Sequence, residues 1–259
     1  MAKEANKHLL FGGVDVVELA ERYGTPLYVT DENKLRNNFK GYKNAFETTN
    51  IDTDIYYAVK ANGNLALLKI LASEGAGADV FSPGELELTK RAGIPVEKIL
   101  FNGNSKSDDD LRTAVESGVR VSVDSVDELR ALSAVANELG REVEIAIRVN
   151  PDVSPDVHAK IATGLKESKF GIPFHDMVPV CEEAEKLPNV LLAGLHCHIG
   201  SQILDLTVFG EATEKMMALV EELHENGISL KFVDLGGGLG IGYRQEEREI
   251  APTPKDLAE

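Results

Sequence analysis

Short β-branched runs alternate with helical stretches along most of this 259-residue chain. The alternation predicts seven strands, and the first five of them end 20 to 26 residues apart. That spacing accommodates one strand and one crossover helix, so right-handed βαβ connections would make neighbouring strands parallel. The predicted strands end near Lys60, Ser82, Asn102, Asp124, Asn150, His198 and Leu235.

A β/α barrel is the fold that this alternation favours, since such a barrel typically takes about 250 residues. Helices are predicted over 65–74, 84–91, 107–117, 125–139, 174–187 and 207–225.

The residues before the repeating part predict a different arrangement. We expect a helix over 14–23 that is stopped by Gly24 and Pro26, a short strand over 27–30, and a helix over 32–46 that is capped by Asp31. The chain is therefore divided into an N-terminal helix-strand-helix segment, residues 1–47, and a barrel, residues 48–259.

Strand periodicity predicts which side chains line the barrel, because successive residues point to opposite faces of a strand. One face of each strand is apolar and suits contact with helices. The other face begins with small residues and becomes polar or charged towards the C-terminal end. Three strands show this on the inward face: Tyr56, Ala58 and Lys60; Ala146, Arg148 and Asn150; Gly194, His196 and His198. Because barrel enzymes place their sites at the C-terminal strand ends, we expect a polar cavity there.

Composition limits the partners of the chain. A formal net charge of -16 disfavours duplex nucleic acid and anionic membranes, and a small molecule is the expected ligand. No apolar targeting segment or membrane span is visible, so we expect a cytoplasmic protein. Cys181 and Cys197 lie in periodic apolar stretches and are expected to be buried, reduced thiols.

Lys60 is the first candidate for chemistry. A lysine enclosed at a strand end loses hydration, which favours the neutral amine that can form an imine. A lysine that snorkels to solvent or forms a salt bridge is the competing interpretation.

Three consecutive glycines after the seventh strand are the second candidate. In VDLGGGLGIGY, the N–H groups of Gly236, Gly237 and Gly238 could approach a phosphate closely. The glycines could instead only close a turn. Their position favours phosphate, because barrel phosphate sites frequently use the loops after the seventh and eighth strands.

The segment HCHIGSQ is the third candidate. His196 and His198 share a face, and Ser201 follows on the loop. A His-x-His pair can ligate zinc, but no third ligand is evident, so no metal is predicted. We favour an imidazole that stacks on a flat heterocycle beside a phosphate loop.

The motifs YYAVKAN, GADVFSPGELELTKRAGIP, ILFNGNSKS, AIRVNPDV, KFGI, GLHCHIGSQI and VDLGGGLGIGY together resemble the diaminopimelate decarboxylases over residues 9–243. These are fold-type III decarboxylases that use pyridoxal 5'-phosphate (PLP). The resemblance implies a TIM-type (β/α)8 barrel of the alanine racemase-like fold, in which the last strand and the C-terminal β-domain are not visible here. The opening LLFGGVDVVELAERYGTPLYVTDENKLRNNF favours this family over ornithine and arginine decarboxylases.

The resemblance also implies functions for individual residues. Lys60 would be the Schiff-base lysine and His198 the histidine that stacks on the ring, and both would be catalytic. Asp79 and Glu85 fall on acidic family positions, although either could instead be an ordinary surface cap, Glu85 especially, since it opens a helix. The implied cofactor-binding residues are Lys60, Asp79, Arg148, His198, Ser201, Gly236, Gly237 and Gly238.

The reaction implied is decarboxylation of meso-2,6-diaminopimelate to L-lysine by a homodimer of the full-length protein. The alternatives left open are a non-catalytic PLP carrier and a related ornithine or arginine decarboxylase. The family's Glu-Pro-Gly-Arg motif is not found in this sequence, nor is its β-domain. We therefore expect a part of a longer protein, and weak cofactor binding with little decarboxylation by these 259 residues alone.

Overall fold

A computed structural model describes residues 8–153 and 170–259 of the chain. Its strands are β1 (Leu10–Phe11), β2 (Val14–Asp15), β3 (Tyr56–Ala58), β4 (Gly77–Val80), β5 (Ile99–Phe101), β6 (Arg120–Val123), β7 (Val143–Asn150), β8 (Ile172–Pro173), β9 (Val190–His196) and β10 (Phe232–Asp234). Its α-helices are α1 (Val16–Tyr23), α2 (Glu32–Glu47), α3 (Leu65–Ser73), α4 (Pro83–Ala92), α5 (Asp108–Ser117), α6 (Val126–Leu139), α7 (Met177–Ala184), α8 (Thr207–Glu225), α9 (Gln245–Arg248) and α10 (Pro254–Ala258).

The main sheet has the order β10-β9-β7-β6-β5-β4-β3, and every neighbouring pair in it is parallel. All seven strands expected from the sequence are present in this order, and helices follow them as crossovers. The sheet forms a half-barrel of the predicted type. Two short additions were not predicted: β8 pairs with β7, and β1 and β2 form an antiparallel hairpin.

Helix boundaries follow local capping chemistry. The side chains of Ser82, Ser107 and Ser125 accept N–H hydrogen bonds at the start of α4, α5 and α6. The same helices end at glycines with left-handed backbone, of which Gly93 and Gly118 are examples. These signals explain why the predicted helices agree with the observed ones to within a few residues, the longest discrepancy being in α7.

One apolar cluster lies between the sheet and its helices. The outward faces of the strands supply residues such as Phe101, Ile145 and Leu195, all fully buried, and the helices supply Leu129 and Met216. The alternation predicted for β7 is confirmed, because its helix-facing side chains belong to this cluster while Arg148 and Asn150 do not. The thiols of Cys181 and Cys197 are free and buried as predicted, and burial raises the pKa of each to about 12.

The N-terminal segment departs from prediction in two places. The first helix begins at Val16 rather than at residue 14, because Asp15 caps it and Val14 pairs in the hairpin. The strand expected over 27–30 is wrong. That stretch is exposed and has no strand partner among the described residues, and without backbone pairing it stays irregular.

Helix α2 of the N-terminal segment and helix α10 at the C-terminal end lie on the β3 side of the sheet. Phe39 of α2 packs with Leu71 and Ala76, and α10 contacts α2. In the parts of the chain that the structure describes, no helix is long and apolar enough to span a membrane.

Gly194 of β9 provides a test of the packing at the base of the sheet. A Cβ added there would lie 2.7 Å from the carbonyl oxygen of Phe232 and 2.8 Å from its ring. We expect Gly194→Ala to lower the unfolding free energy by about 1–3 kcal/mol through overpacking. Urea denaturation measures this change.

Gly210→Ala is the matched control. Gly210 lies in α8, and apart from the adjacent residues and backbone of α8 itself, no atom of residues 8–153 and 170–259 lies within 4 Å of its Cβ position. Alanine there should stabilise the chain by about 0.5–1 kcal/mol. Equal effects of the two substitutions would contradict the packing described for β9 and β10.

Candidate active site at the carboxyl ends of the strands

Three polar side chains lie side by side because their strands are parallel and in register. Arg148 of β7 pairs with His196 of β9, and His196 pairs with Asp234 of β10. Side chains at paired positions point to the same face of a sheet, here the inward one. The pairing therefore brings a cation, an imidazole and a carboxylate into one row near the C-terminal strand ends.

Arg148 is buried and held on two sides. Its Nη1 lies 3.3 Å from Oδ1 of Asp124, which is also buried, and its guanidinium carbon lies 4.5 Å from the ring centroid of Phe170. Burial lowers the pKa of Arg148, while the charges of Asp124 and Asp79 oppose that change. A desolvated guanidinium between an acid and an aromatic ring is fixed in direction and available to a polar group on the inward face.

His196 is fully enclosed. Its Nδ1 lies 2.8 Å from Oγ of Ser122 on β6. Burial, together with the charges of Arg148, Lys106 and Lys60, holds the pKa of His196 well below 6.5, so the ring is neutral at pH 7. The partner that holds this imidazole in the interior is thus a serine hydroxyl.

His198 lies on the loop after β9 and contacts the glycine turn. Its Nδ1 accepts a hydrogen bond from the N–H of Gly237 at 3.5 Å. Burial lowers the pKa of His198 to about 4, with further contributions from His196, Arg148 and Lys60. His198 is therefore neutral at pH 7, and the structure brings it together with the predicted phosphate turn.

Only glycine fits two positions of that turn. Gly236 and Gly238 have φ values of 72° and 118°. A Cβ on Gly236 would lie 2.5 Å from the carbonyl oxygen of Cys197, and one on Gly238 would lie 2.1 Å from that of Gly200. Close backbone approach, as well as conformation, excludes side chains here.

The middle of the turn is open. Among the described residues, no atom apart from those of its two chain neighbours lies within 4 Å of a Cβ placed on Gly237, and this residue is exposed, as is Ser201 on the facing loop. The two loops are joined by the N–H of Ile203, which donates to the carbonyl oxygen of Gly238 at 2.9 Å. Below them, Oδ1 of Asp234 accepts the N–H of Gly236 at 2.7 Å. A small anion could reach both loops at this opening.

Lys60 does not lie within β3, as the sequence suggested, but in a one-turn 3₁₀ helix, Val59–Ala61, that follows it. Lys60 is exposed. Within the part of the chain that the structure describes, it therefore does not have the enclosed environment that was expected for it. Its Nζ nevertheless lies over the ring of Phe81, 3.9 Å from the centroid. Its charge also acts on Asp79, His196 and His198, so the amine belongs to the same group of residues.

Asp79 of β4 carries a carboxyl oxygen, Oδ1, that is buried and has no hydrogen-bond partner in the part of the chain that the structure describes. Burial and the negative charge of Asp234 raise the pKa of Asp79 to about 7, against the opposing effects of Asn102, Lys60 and Arg148. A buried polar atom without a partner is costly and calls for an explanation, of which a bound ligand is one.

Glu85 has the second of the two functions considered for it. Its Oε2 accepts the N–H of Phe81 at 2.7 Å, and its own N–H donates to Oγ of Ser82 at 3.2 Å. Glu85 thus closes the start of α4 as a cap.

Four residues of this region were not recognised as site residues from the sequence. Ser122 and Asp124 hold His196 and Arg148, and Lys106 forms a buried ion pair with Glu128 behind them. The sequence alternation along β6 could have indicated that Ser122 and Asp124 face inward, since they alternate with apolar residues. Lys106 lies in a loop, where no periodicity in the sequence indicates in which direction a side chain points.

Across residues 8–153 and 170–259, no group of three or more His, Cys, Asp or Glu side chains is arranged to hold a metal ion. The described groups are instead an amine, a carboxyl with a free oxygen, two neutral imidazoles, a fixed guanidinium and an open glycine turn. Such a set suits an organic ligand that has an electrophilic carbon and an anionic group.

Comparison with known proteins identifies the family. The model for "Pyridoxal-dependent decarboxylase, pyridoxal binding domain" matches residues 32–256. The chain is 55% identical over 247 residues to a diaminopimelate decarboxylase of Archaeoglobus fulgidus and 47% identical over 252 residues to one of Aquifex aeolicus. These matches cover 95% and 97% of this chain but only 57% and 59% of the relatives. The chain thus spans less than two thirds of their length.

The fold agrees with this result. A crystal structure of diaminopimelate decarboxylase from M. jannaschii in co-complex with L-lysine superimposes with a TM-score of 0.91 at 42% identity, covering 98% of this chain and 59% of that one. PLP is the cofactor of the matched domain. The chain therefore belongs to the pyridoxal-dependent decarboxylase family, of which it contains the pyridoxal-binding domain.

Proposed function

We propose that this chain is the cofactor-binding barrel of an enzyme that decarboxylates meso-2,6-diaminopimelate to L-lysine. The observation that carries the proposal is the convergence of Lys60, His198 and the open glycine turn at one end of a parallel sheet. The substrate is inferred from the names of the relatives and from the L-lysine present in the related structure.

The residues present fit PLP in two respects. The opening at Gly237 can admit a phosphate, which the N–H of Gly238 and the Ser201 hydroxyl would hold, together with the N–H of Gly237 once it exchanges its long bond to His198 for the phosphate. The buried, unpaired Oδ1 of Asp79 can face a polar group of the cofactor. Anion binding by backbone donors also suits a chain whose net charge is -16.

The other residues orient the cofactor. Neutral His198 can lie against a flat ring without adding charge, and Arg148, fixed by Asp124 and Phe170, can donate to a polar substituent of the ring. Nζ of Lys60 is the amine that would hold the cofactor covalently through its aldehyde. When bound, PLP supplies a pyridine ring that accepts the electrons left behind as carbon dioxide departs.

Several wider features belong to the same proposal. We place the division between the N-terminal segment and the barrel at residues 47 and 48, and we infer a cytoplasmic enzyme whose longer form is a homodimer. Its partner is a small amino acid, with neither nucleic acid nor membrane involved. The acidity of the chain supports both exclusions.

Covalent attachment of PLP to Lys60 is the first expected result. PLP added to the chain should give the visible absorbance of an imine, and borohydride should fix PLP on the peptide that contains Lys60. Lys60→Ala should abolish that label, because Lys60 is the lysine whose charge acts on Asp79 and His198 of the site. Absorbance spectroscopy and peptide mass spectrometry make the measurement.

Lys69→Ala is the control, since Lys69 is an exposed lysine on the nearby helix α3. Labelling spread over many lysines would contradict the site. Carbon dioxide release from meso-diaminopimelate, compared with ornithine, arginine and L-lysine in the longer protein, then tests the substrate. Lys60 labelling without turnover of any of these would favour a PLP carrier.

Asp79 gives a pH-dependent expectation for the PLP-free chain. Folding raises the pKa of Asp79 from 3.8 to about 7, so the folded chain holds a proton that the unfolded chain releases between these values. Stability must therefore fall as pH rises. Between pH 5 and pH 8 the wild type should lose about 2–3 kcal/mol of unfolding free energy relative to Asp79→Asn.

Urea denaturation at the two pH values measures this difference. Asp109→Asn, on the exposed first turn of α5, is the control and should follow the wild-type slope. A wild type and an Asp79→Asn variant with parallel pH profiles would show that Asp79 is neither buried nor unpaired.

A further inference from the structure

A second cationic side chain lies behind the site, buried in an ion pair. Nζ of Lys106 lies 2.8 Å from Oε1 of Glu128, and the two side chains are 2% and 9% exposed. Lys106 lies in the loop after β5 and Glu128 in the first turn of α6. The function proposed above assigns no part to either residue.

Lys106 connects the ends of two strands. Its Nζ donates to the carbonyl oxygen of Ser122 on β6, at 2.9 Å, and to that of Gly103 in its own loop. With the ion pair to Oε1 of Glu128, these two carbonyl acceptors give the ammonium three close partners. The loop after β5 is therefore fastened to the end of β6 by one amine.

The same strand end holds two residues of the site. Ser122, whose carbonyl accepts from Lys106, bonds through its hydroxyl to His196. Burial raises the pKa of Glu128, and the backbone of Asp124, whose side chain pairs with Arg148, opposes that rise. Lys106 and Glu128 are thus linked to the backbone of both residues that hold the site's imidazole and guanidinium.

Stability does not explain such a pair well. Two buried charges lose hydration, and a buried ion pair can often be replaced by apolar residues of similar volume with no loss of stability. The contacts described here have a more specific consequence, because the residues that they fix all face the cofactor end of the sheet.

Resting on the proposed function, we propose that Lys106 and Glu128 are positioning residues. They hold the β6 end so that Asp124 directs Arg148 towards the cofactor, while Ser122 keeps His196 in place in the interior. PLP affinity should then depend on the pair through Arg148 rather than through direct contact.

The test replaces both charges at once, so that no charge is left unpaired in the interior. Lys106→Met with Glu128→Met should keep the thermal midpoint of the PLP-free protein while weakening PLP binding at least tenfold, measured by equilibrium dialysis. In an Arg148→Met background the same pair of substitutions should weaken binding less than threefold, because its effect runs through Arg148.

Arg130→Met with Glu183→Met is the matched control. This pair also joins α6 to another element, but it lies at the surface, with Nε 2.7 Å from Oε1. PLP binding should be unchanged by its removal. Unchanged binding in the Lys106/Glu128 double variant would overturn the proposal, as would an equal loss with and without Arg148.

A second readout needs no PLP and separates this proposal from the proposed function. In the wild type, the side-chain ¹⁵N resonances of Arg148, assigned with Arg148→Lys, should show a guanidinium whose rotation is hindered. In the Lys106/Glu128 double variant that rotation should become fast. If the wild-type protein binds no PLP but the rotation changes in this way, the proposed function fails and the positioning role stands. An unchanged guanidinium overturns the positioning role.

Discussion

The register of the parallel strands is the constraint on which the candidate site depends. Arg148, His196 and Asp234 occupy paired positions on β7, β9 and β10, and Asp79 lies on the same inward face across the sheet. A shift of one residue in any strand would turn its polar side chain into the apolar layer beneath the helices. The apolar cluster that fills this layer therefore fixes the site as well as the fold.

Charge is arranged in the site so that an anion is held by backbone groups rather than by a surplus of cations. Asp124 balances Arg148, and Glu128 balances Lys106. Both histidines are neutral at pH 7, because their pKa values are lowered by burial and by the neighbouring cations. The N–H donors of Gly237 and Gly238 then become the main attraction for a phosphate, since the N–H of Gly236 is held by Asp234. This explains why Gly236 and Gly238, which allow the turn to approach its facing loop, matter to a chain of such acidity.

Strand order and the inward polar residues could be predicted from the sequence, because hydrophobic periodicity and strand spacing are local signals. The start of α6 at Ser125 and the cap at Glu85 were accessible for the same reason. The irregular conformation of residues 27–30 was not accessible in this way, because strand pairing depends on a neighbouring strand that no local sequence pattern describes. Lys60 was assigned to the end of a strand, but a 3₁₀ turn replaces the last residues of the alternating run. The Lys106–Glu128 pair depends on a loop direction that only the folded chain provides.

A crystal structure of the chain with PLP tests the central claim most directly. We expect continuous density from Nζ of Lys60 to the cofactor, with the phosphate between the Gly236, Gly237 and Gly238 turn and Ser201, and with His198 against the ring. Density that joins PLP to another lysine, or a phosphate bound away from the glycine turn, would contradict the site described for this chain.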